Sequence, residues 1–333
     1  MSTASSIISP ISTVSPLLTE YPRVLVTGVG GPSGKAATAA LRARGFFVLG
    51  VDMNIVPNEA DQFAQVPASL NASYPEMLRA LIREYKIGWL FPTVAEELVV
   101  VAELAAGLRE EGVAVFISTP AAVRICEDKW NTAQALNARN IPVPASAVGT
   151  AEEPTVRSLD FPKVSRPRIG RGGRGVVVHD GPGIEAAVID PIWQEFMSGT
   201  EYDVLLVRHP DTPQRVVMCQ VFEKILLKEG RVGNALEVKA VEAPDIAALA
   251  TNAAHALELT GPLDMDIRRG QDGTPRLLES NARIGAHALK APLMFDVLVD
   301  WVQQGHRGGL RATAAPRVQQ AHRKSSRAVA DGH

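Results

Sequence analysis

A chain of 333 residues with a formal charge of −2 and 46% apolar residues can build two or three lobes around a cleft, and it lacks the overall basic excess expected of a nucleic-acid binder. Its two cysteines, Cys126 and Cys219, form no CxxC pair, which excludes a disulfide scaffold or thiolate zinc site and points to a reducing cytoplasm.

Residues 1–22 are rich in Ser, Thr and Pro and carry no Lys or Arg, so they lack the positive region of a secretory signal and read as a disordered leader. The best apolar run, Leu98 to Leu108, is interrupted by Glu103 and falls short of the roughly 20 residues a membrane span needs. No membrane partner is expected. Arg23 to Thr27 is a β run entering a glycine turn, Gly28 to Gly34, followed by an alanine-rich helix to Arg44. Further strands are expected at Phe46 to Val51, Trp89 to Phe91 and Val113 to Ile117, separated by helical segments such as Glu96 to Arg109. The order predicts a parallel, Rossmann-like α/β lobe over residues 23–125.

Lys129 to Arg139 reads as a helix, and Ile141-Pro142-Val143-Pro144 opens a linker. Beyond Phe161 the chain turns to short strands punctuated by glycine, with one long helix at Asp245 to Leu259. This texture predicts an α+β architecture for residues 126–304, with a small lobe at about 145–195 and a C-terminal lobe at about 196–304. Residues 305–333 carry six Lys or Arg against one acid, Asp331, and read as a disordered basic tail.

Three segments carry chemistry. Phe161 to Pro167 leads as a strand into Gly170-Arg171-Gly172-Gly173-Arg174-Gly175, and a second strand follows from Val176. This predicts a hairpin with a cationic lid whose backbone amides fold over phosphates. Trp193 to Asp203 is a strand that stops at Gly199 and resumes, suited to a nucleotide cleft. Glu279-Ser280-Asn281-Ala282-Arg283 places a carboxylate, an amide and a guanidinium on one face of an extended segment, within reach of Asp266 on the preceding antiparallel strand. Hard oxygen donors of this kind suit magnesium and a phosphoryl group. Gly28 to Asp52 also invites a dinucleotide reading, but its glycine spacing fits neither GxGxxG nor a Walker loop.

Taken in order, Asp128-Lys129, Arg166-Pro167 with its glycine loop, Gln194 to Glu201, and Asp266 with Glu279-x-Asn281-x-Arg283 resemble the ATP-grasp superfamily, over about Arg23 to Gln304. The resemblance implies a companion N-terminal α/β lobe and an ATP-grasp fold of two α+β lobes enclosing the nucleotide. It implies ATP contacts from Lys129, Arg166, Gly170, Gly172, Gly173 and Gly175, an adenine frame of Glu195, Phe196 and Met197, and a ribose contact at Glu201. Asp266, Glu279 and Asn281 would hold two magnesium ions, with manganese as an alternative. Arg283, with Arg166, would stabilise the transferred phosphoryl group. Many members have Lys where Arg166 stands, and the carbamoyl-phosphate synthetase branch resembles this chain in using Arg there.

The implied activity is that of a carboxylate–amine ligase: a small, amino-acid-like carboxylate is activated as an acyl phosphate and joined to an amine. Arg268, His287 and Lys239 are candidate substrate contacts, with Lys224 and Lys228 behind them. A homodimer is a common form of related proteins. The alternatives are a carbamoyl-phosphate synthetase-like enzyme acting on a small carboxy substrate, an NAD(P)-binding oxidoreductase resting on Gly28 to Asp52, and a non-catalytic nucleotide-binding protein.

Overall fold

In the computed structural model, which describes residues 22–170, 173–182, 186, 188–210, 212 and 215–308, the apolar run Arg23–Thr27 forms β1. The predicted leader, up to residue 21, and the tail beyond 308 lie outside the described residues. After the glycine turn, α1 (Pro32–Ala43) starts with proline in its first turn, where the missing N–H costs no hydrogen bond. Strands β2 (Phe47–Asp52), β3 (Gln62–Gln65) and β4 (Trp89–Phe91) complete a parallel sheet of order β3-β2-β1-β4. Helix α2 (Tyr74–Glu84) lies between β3 and β4, and α3 (Leu98–Glu110) follows β4 after a 3₁₀ turn at Ala95–Glu97.

Val113 to Ile117 does not become the predicted strand. It makes one bridge, Ala114 to Trp89, and the Val115 N–H donates to the Arg307 carbonyl at 2.9 Å, so a later segment takes up the backbone that a ladder would need. Its apolar side chains are nonetheless buried, which explains why the run resembles a strand.

Gly34 packs α1 onto the turn. A Cβ there would meet the Gly28 carbonyl oxygen at 2.1 Å and the Val29 Cα at 2.8 Å, both backbone atoms. Gly34→Ala is therefore expected to destabilise the protein by about 1–3 kcal/mol through overpacking. An unchanged melting temperature would show that α1 can move off the turn.

Helix α4 (Pro120–Glu127) is capped by Thr119, and α5 (Lys129–Asn137) by Asp128, whose carboxylate accepts from the Trp130 and Asn131 amides at 2.9 and 3.3 Å. Asp128 thus serves the helix start, and Lys129 is its first residue. A small lobe follows with antiparallel order β5-β8-β6-β7, formed by β5 (Ser146–Val148), β6 (Lys163–Pro167), β7 (Val177–His179) and β8 (Pro191–Glu195), with the single turn α6 (Pro154–Arg157). Its own core is three buried side chains, Ala147, Val156 and Trp193.

The large lobe is a five-stranded antiparallel sheet of order β11-β10-β9-β12-β13. These are β9 (Glu201–Arg208), β10 (Val216–Leu227), β11 (Ala235–Val241), β12 (Gly261–Arg269) and β13 (Pro275–Asn281). All of β9 is buried, and its alternation divides the two faces. Val204 and Leu206 join the core containing α7 (Pro244–Ala256), whereas Leu205 and Val207 join the core containing α8 (Pro292–Gln303). Glu201 and Asp203 share the parity of Leu205, so the acids extend the α8-side face beyond its apolar part. Among the described residues no helix is long and apolar enough to cross a membrane.

Candidate active site

The three lobes surround a cavity of about 690 Å³, within the range of small-molecule sites. Its floor is the acidic end of the large sheet. Register places Asp266 opposite Asp203 on β9 and opposite Glu279 on β13, while Asp264 pairs with Asn281, so these side chains gather on one face. Arg283 lies two residues past the end of β13 but lines the same cavity, held by Asp264 at 2.9 Å and by its neighbour's carbonyl, Ile284 O, at 2.7 Å.

Above the floor, Glu279 lies between two cations, 3.5 Å from Lys129 Nζ and 3.8 Å from the Arg166 guanidinium. Burial pushes Lys129 below the usual lysine range, with Glu279 opposing and Arg166 reinforcing the shift. Arg166 is fixed from behind: its Nε donates to Gln194 Oε1 at 2.8 Å and its Nη2 to the Leu278 carbonyl at 2.7 Å. Lys129 Nζ also donates to the Gly170 carbonyl at 2.7 Å, tying the helix start to the lid. This is a preorganised cationic wall suited to phosphates.

Of the lid residues, Gly173 lines the cavity, with φ of +70°. A Cβ on it would come within 2.8 Å of Gly233 Cα in the β10–β11 loop, so two glycines let the lid and that loop meet. Arg231 in the same loop donates from Nη1 to both carboxylate oxygens of Asp180 after β7, at 2.9 and 3.0 Å. Gly175 packs towards Pro167 and Val188 rather than lining the cavity, and Gly172 lies outside the described residues. Arg168, beside the lid, pairs with Asp128 at 2.6 Å.

Glu195, Phe196 and Met197 line the far end. The amides of Glu195 and Phe196 donate to Ala145 and Pro162 carbonyls at 2.9 and 3.1 Å, which leaves Met197 with the one amide of the three lacking a backbone bond among the described residues. The guanidinium groups of Arg231 and Arg268 both lie over the Phe196 ring, 4.5 and 5.0 Å from its centroid. Glu201, expected at the ribose, is buried in a cluster: Lys224 Nζ reaches it at 2.7 Å and Asp266 at 2.6 Å, and Arg268 reaches Glu201 at 3.2 Å. Burial disfavours the Lys224 charge, but Asp266 and Glu201 outweigh it and hold the ammonium above the usual range. Lys239 is not a cleft residue, because it is exposed on the edge strand β11 and lines no part of the cavity.

The charge balance bears on magnesium. Burial pushes Asp266 up to about 6, against the pull of Lys224 and with Glu201, Asp203 and Glu279 adding repulsion, so the site carries more negative charge than it comfortably holds. The Asn281 amide nitrogen faces Asp264 at 3.4 Å, which leaves its oxygen for a ligand. Among the described residues no three His, Cys, Asp or Glu side chains surround a common point. The donor set is two carboxylates, Asp266 and Glu279, and one amide oxygen, which fits an ion that completes its shell with phosphate oxygens and water.

Two acids were not foreseen. Asp203 and Asp264 lie on neighbouring strands, β9 and β12, and both line the cavity. Burial and the Asp203 charge push Asp264 well above the carboxylate range despite Arg283. Burial works against the Asp203 charge too, yet the hydrogen bond with His287 and the Lys224 charge hold Asp203 below that range. Both lie two residues from a predicted acid, Glu201 or Asp266, and the period of two would have revealed them.

The opposite wall comes from the N-terminal lobe, with Gly28, Gly31 to Gly34, Thr93 and Val94. Asp52 is turned onto its own loops: its Oδ2 accepts from the Gly30 amide and its Oδ1 from the Asn54 amide, both at 3.1 Å. The glycine turn is a cleft wall, and its acid holds the turn.

The family model of the ATP-grasp domain matches residues 126–287, which span the cationic wall, the lid and the acidic floor. Residues 126–287 are an ATP-grasp domain. No curated protein matches its sequence. Among solved structures, the chain resembles an L-amino acid ligase from Bacillus licheniformis with 17% identity and a TM-score of 0.64, covering 80% of this chain and 68% of that one. It also resembles N5-carboxyaminoimidazole ribonucleotide synthetase from Thermotoga maritima, with 20% identity and a TM-score of 0.57, over 79% and 68% of the two chains. A third is the biotin carboxylase domain dimer of Hydrogenobacter thermophilus 2-oxoglutarate carboxylase, in complex with MgADP, ADP and bicarbonate. It shares 14% identity and a TM-score of 0.59, over 80% and 65% of the chains. At these identities the likeness is one of fold, and it extends beyond residues 126–287 to the N-terminal lobe.

Proposed function

We propose that this protein is an ATP-dependent carboxylate–amine ligase that converts a small, amino-acid-like carboxylate to an acyl phosphate and passes the acyl group to an amine, releasing ADP and phosphate. The observation that carries the reading is Glu279 between Lys129 and Arg166, with Asp266, Asn281 and Arg283 facing the same cavity. The names of its structural relatives, an amino acid ligase and a carboxyaminoimidazole ribonucleotide synthetase, support carboxylate chemistry.

In this reading Lys129 and Arg166 bind the phosphates from one side, and Gly173 with the loop around it closes above them. Charge spreads over phosphoryl oxygens during transfer, so fixed cations in a closed cavity lower the barrier. Arg283, anchored on Asp264, is placed to stabilise the acyl phosphate. Asp266, Glu279 and Asn281 would hold magnesium, two ions in the family's pattern, and bound there it would neutralise phosphate charge. The lid excludes water, which would otherwise hydrolyse the acyl phosphate. The buried Cys126 and exposed Cys219, both unpaired, suit a cytoplasmic enzyme.

The test is ADP release with MgATP over panels of amino acids and small carboxylates paired with amines, followed by mass spectrometry of products. ADP and an amide formed only when both partners are present is the expected result. ADP formed from the acid alone, without an amide, would indicate a kinase-like enzyme instead.

A further inference from the structure

We infer that His287, oriented by Asp203, is the proton acceptor that frees the incoming amine for attack and that its Nε2 marks the amine's place in the cleft. The inference rests on the ligase reading above. It assigns the second half of the reaction, for which the phosphate-binding wall supplies no proton-accepting group.

His287 Nδ1 lies 2.6 Å from Asp203 Oδ2. Asp203 sits on the fully buried β9 and is only 4% exposed, so the orienting carboxylate is rigid. Its acceptance of the Nδ1 proton places the ring's lone pair on Nε2 in the neutral imidazole. His287 lines the cavity, and Nε2 has no hydrogen-bond partner among the described residues. The backbone leading to it is also fixed: a Cβ at Gly285 would meet Asp264 Oδ1 at 2.7 Å and Leu205 Cδ2 at 2.9 Å, so the turn between Arg283 and His287 is pressed onto the sheet.

The other acids of the cavity are engaged by cations. Glu279 has Lys129 and Arg166, Glu201 and Asp266 have Lys224, Asp264 has Arg283, and Glu195 has Arg276 at 3.9 Å. From the N-terminal lobe the wall of Gly28, Gly31 to Gly34, Thr93 and Val94 offers no titratable side chain. His287 thus presents to the cavity a nitrogen, Nε2, that meets neither a cation nor a hydrogen-bond partner among the described residues.

An amine at neutral pH is largely an ammonium ion, with α-amino groups titrating near ~8, and it has no lone pair to attack with until a proton leaves. The ammonium gives one proton to His287 Nε2. The amine nitrogen then forms the C–N bond to the acyl carbon, and the C–O bond to phosphate breaks with its electron pair on the phosphate. The second proton leaves the nitrogen to that phosphate, giving hydrogen phosphate and the neutral amide, and the imidazolium returns its proton to water.

The experiment separates the two halves of the reaction. The full chain, His287→Ala and His287→Gln are each given MgATP and a mixture of L-amino acids and small aliphatic carboxylates, with or without hydroxylamine, and hydroxamates and amides are quantified by mass spectrometry. Hydroxylamine is mostly unprotonated at neutral pH and needs no base. Both variants are expected to form hydroxamate within about 2-fold of the unmodified chain while amide formation falls by about 10²-fold or more, the size of a general-base contribution. The Gln amide can still donate to Asp203, so that variant keeps the pocket even if the Ala variant folds poorly. Equal loss of both products, or an amide rate retained in His287→Gln, would overturn the role of His287 and leave the ligase reading standing. No hydroxamate from the unmodified chain would remove carboxylate activation itself, and the base with it.

Discussion

Glu279→Gln is expected to lower ATP-dependent product formation by at least ~10²-fold, through lost charge at the metal and phosphate site. Glu279 is the one acid that meets both Lys129 and Arg166, and it faces Asp266 across the β12–β13 ladder. Gln keeps the shape and one oxygen but removes the negative charge, so a hard cation loses a carboxylate while two ammonium-type charges are left facing each other. The fold should survive, because Glu279 is only partly buried and the strand's hydrogen bonds are backbone ones. The check is turnover at saturating ATP alongside the melting curve. Turnover within a few-fold of the unmodified chain, with an intact melt, would rule out Glu279 as part of the phosphoryl-transfer machinery.

Glu97→Leu is expected to have the largest effect on stability, about 3–5 kcal/mol, because it strands several buried donors at once. Glu97 is 2% exposed and accepts from the hydroxyls of Thr27 and Tyr74 and from the amides of Thr93 and Val94 at 3.1 and 3.0 Å. It therefore ties β1, α2 and the segment after β4 into one knot beneath the cleft wall that Thr93 and Val94 line. Leucine brings no acceptor, and only the Thr93 amide keeps another, Thr27 Oγ1 at 2.9 Å. Urea unfolding measures the loss. A change below about 1 kcal/mol would show that water or a rearranged chain takes over the donors.

The grouping of Glu279, Asn281 and Arg283 with Asp266 was legible because a strand alternates with period two and Asp266 meets Glu279 across a hairpin. The turn between β6 and β7 was legible from glycines that no packed strand would carry. Asp203 and Asp264 escaped because each is embedded in an apolar run, where a lone acid reads as an interruption instead of the end of a buried row. Glu97 escaped for another reason: it stands in an acidic pair at a helix start, a pattern common on solvated surfaces, and only tertiary packing buries it. Val113 to Ile117 shows the opposite error, since apolar content fixes burial but not the partner of the backbone. Lys239 is a surface residue because edge strand β11 turns it outward, and no local pattern distinguishes it from Lys224 on the strand beside it.

The two large cores have a consequence for modularity. Each mixes side chains from before and after residue 125: Leu25, Leu90 and Val115 share one core with Val204, Leu263 and α7, while Val24, Trp89 and Phe116 share the other with Leu205, Phe295 and Trp301. Cutting the chain at that point would expose apolar surface on both pieces. The N-terminal and large lobes are thus a single cooperative unit, unsuited to being exchanged piecemeal between proteins. The small lobe, with its separate three-residue core, is the segment that such an exchange would disturb least.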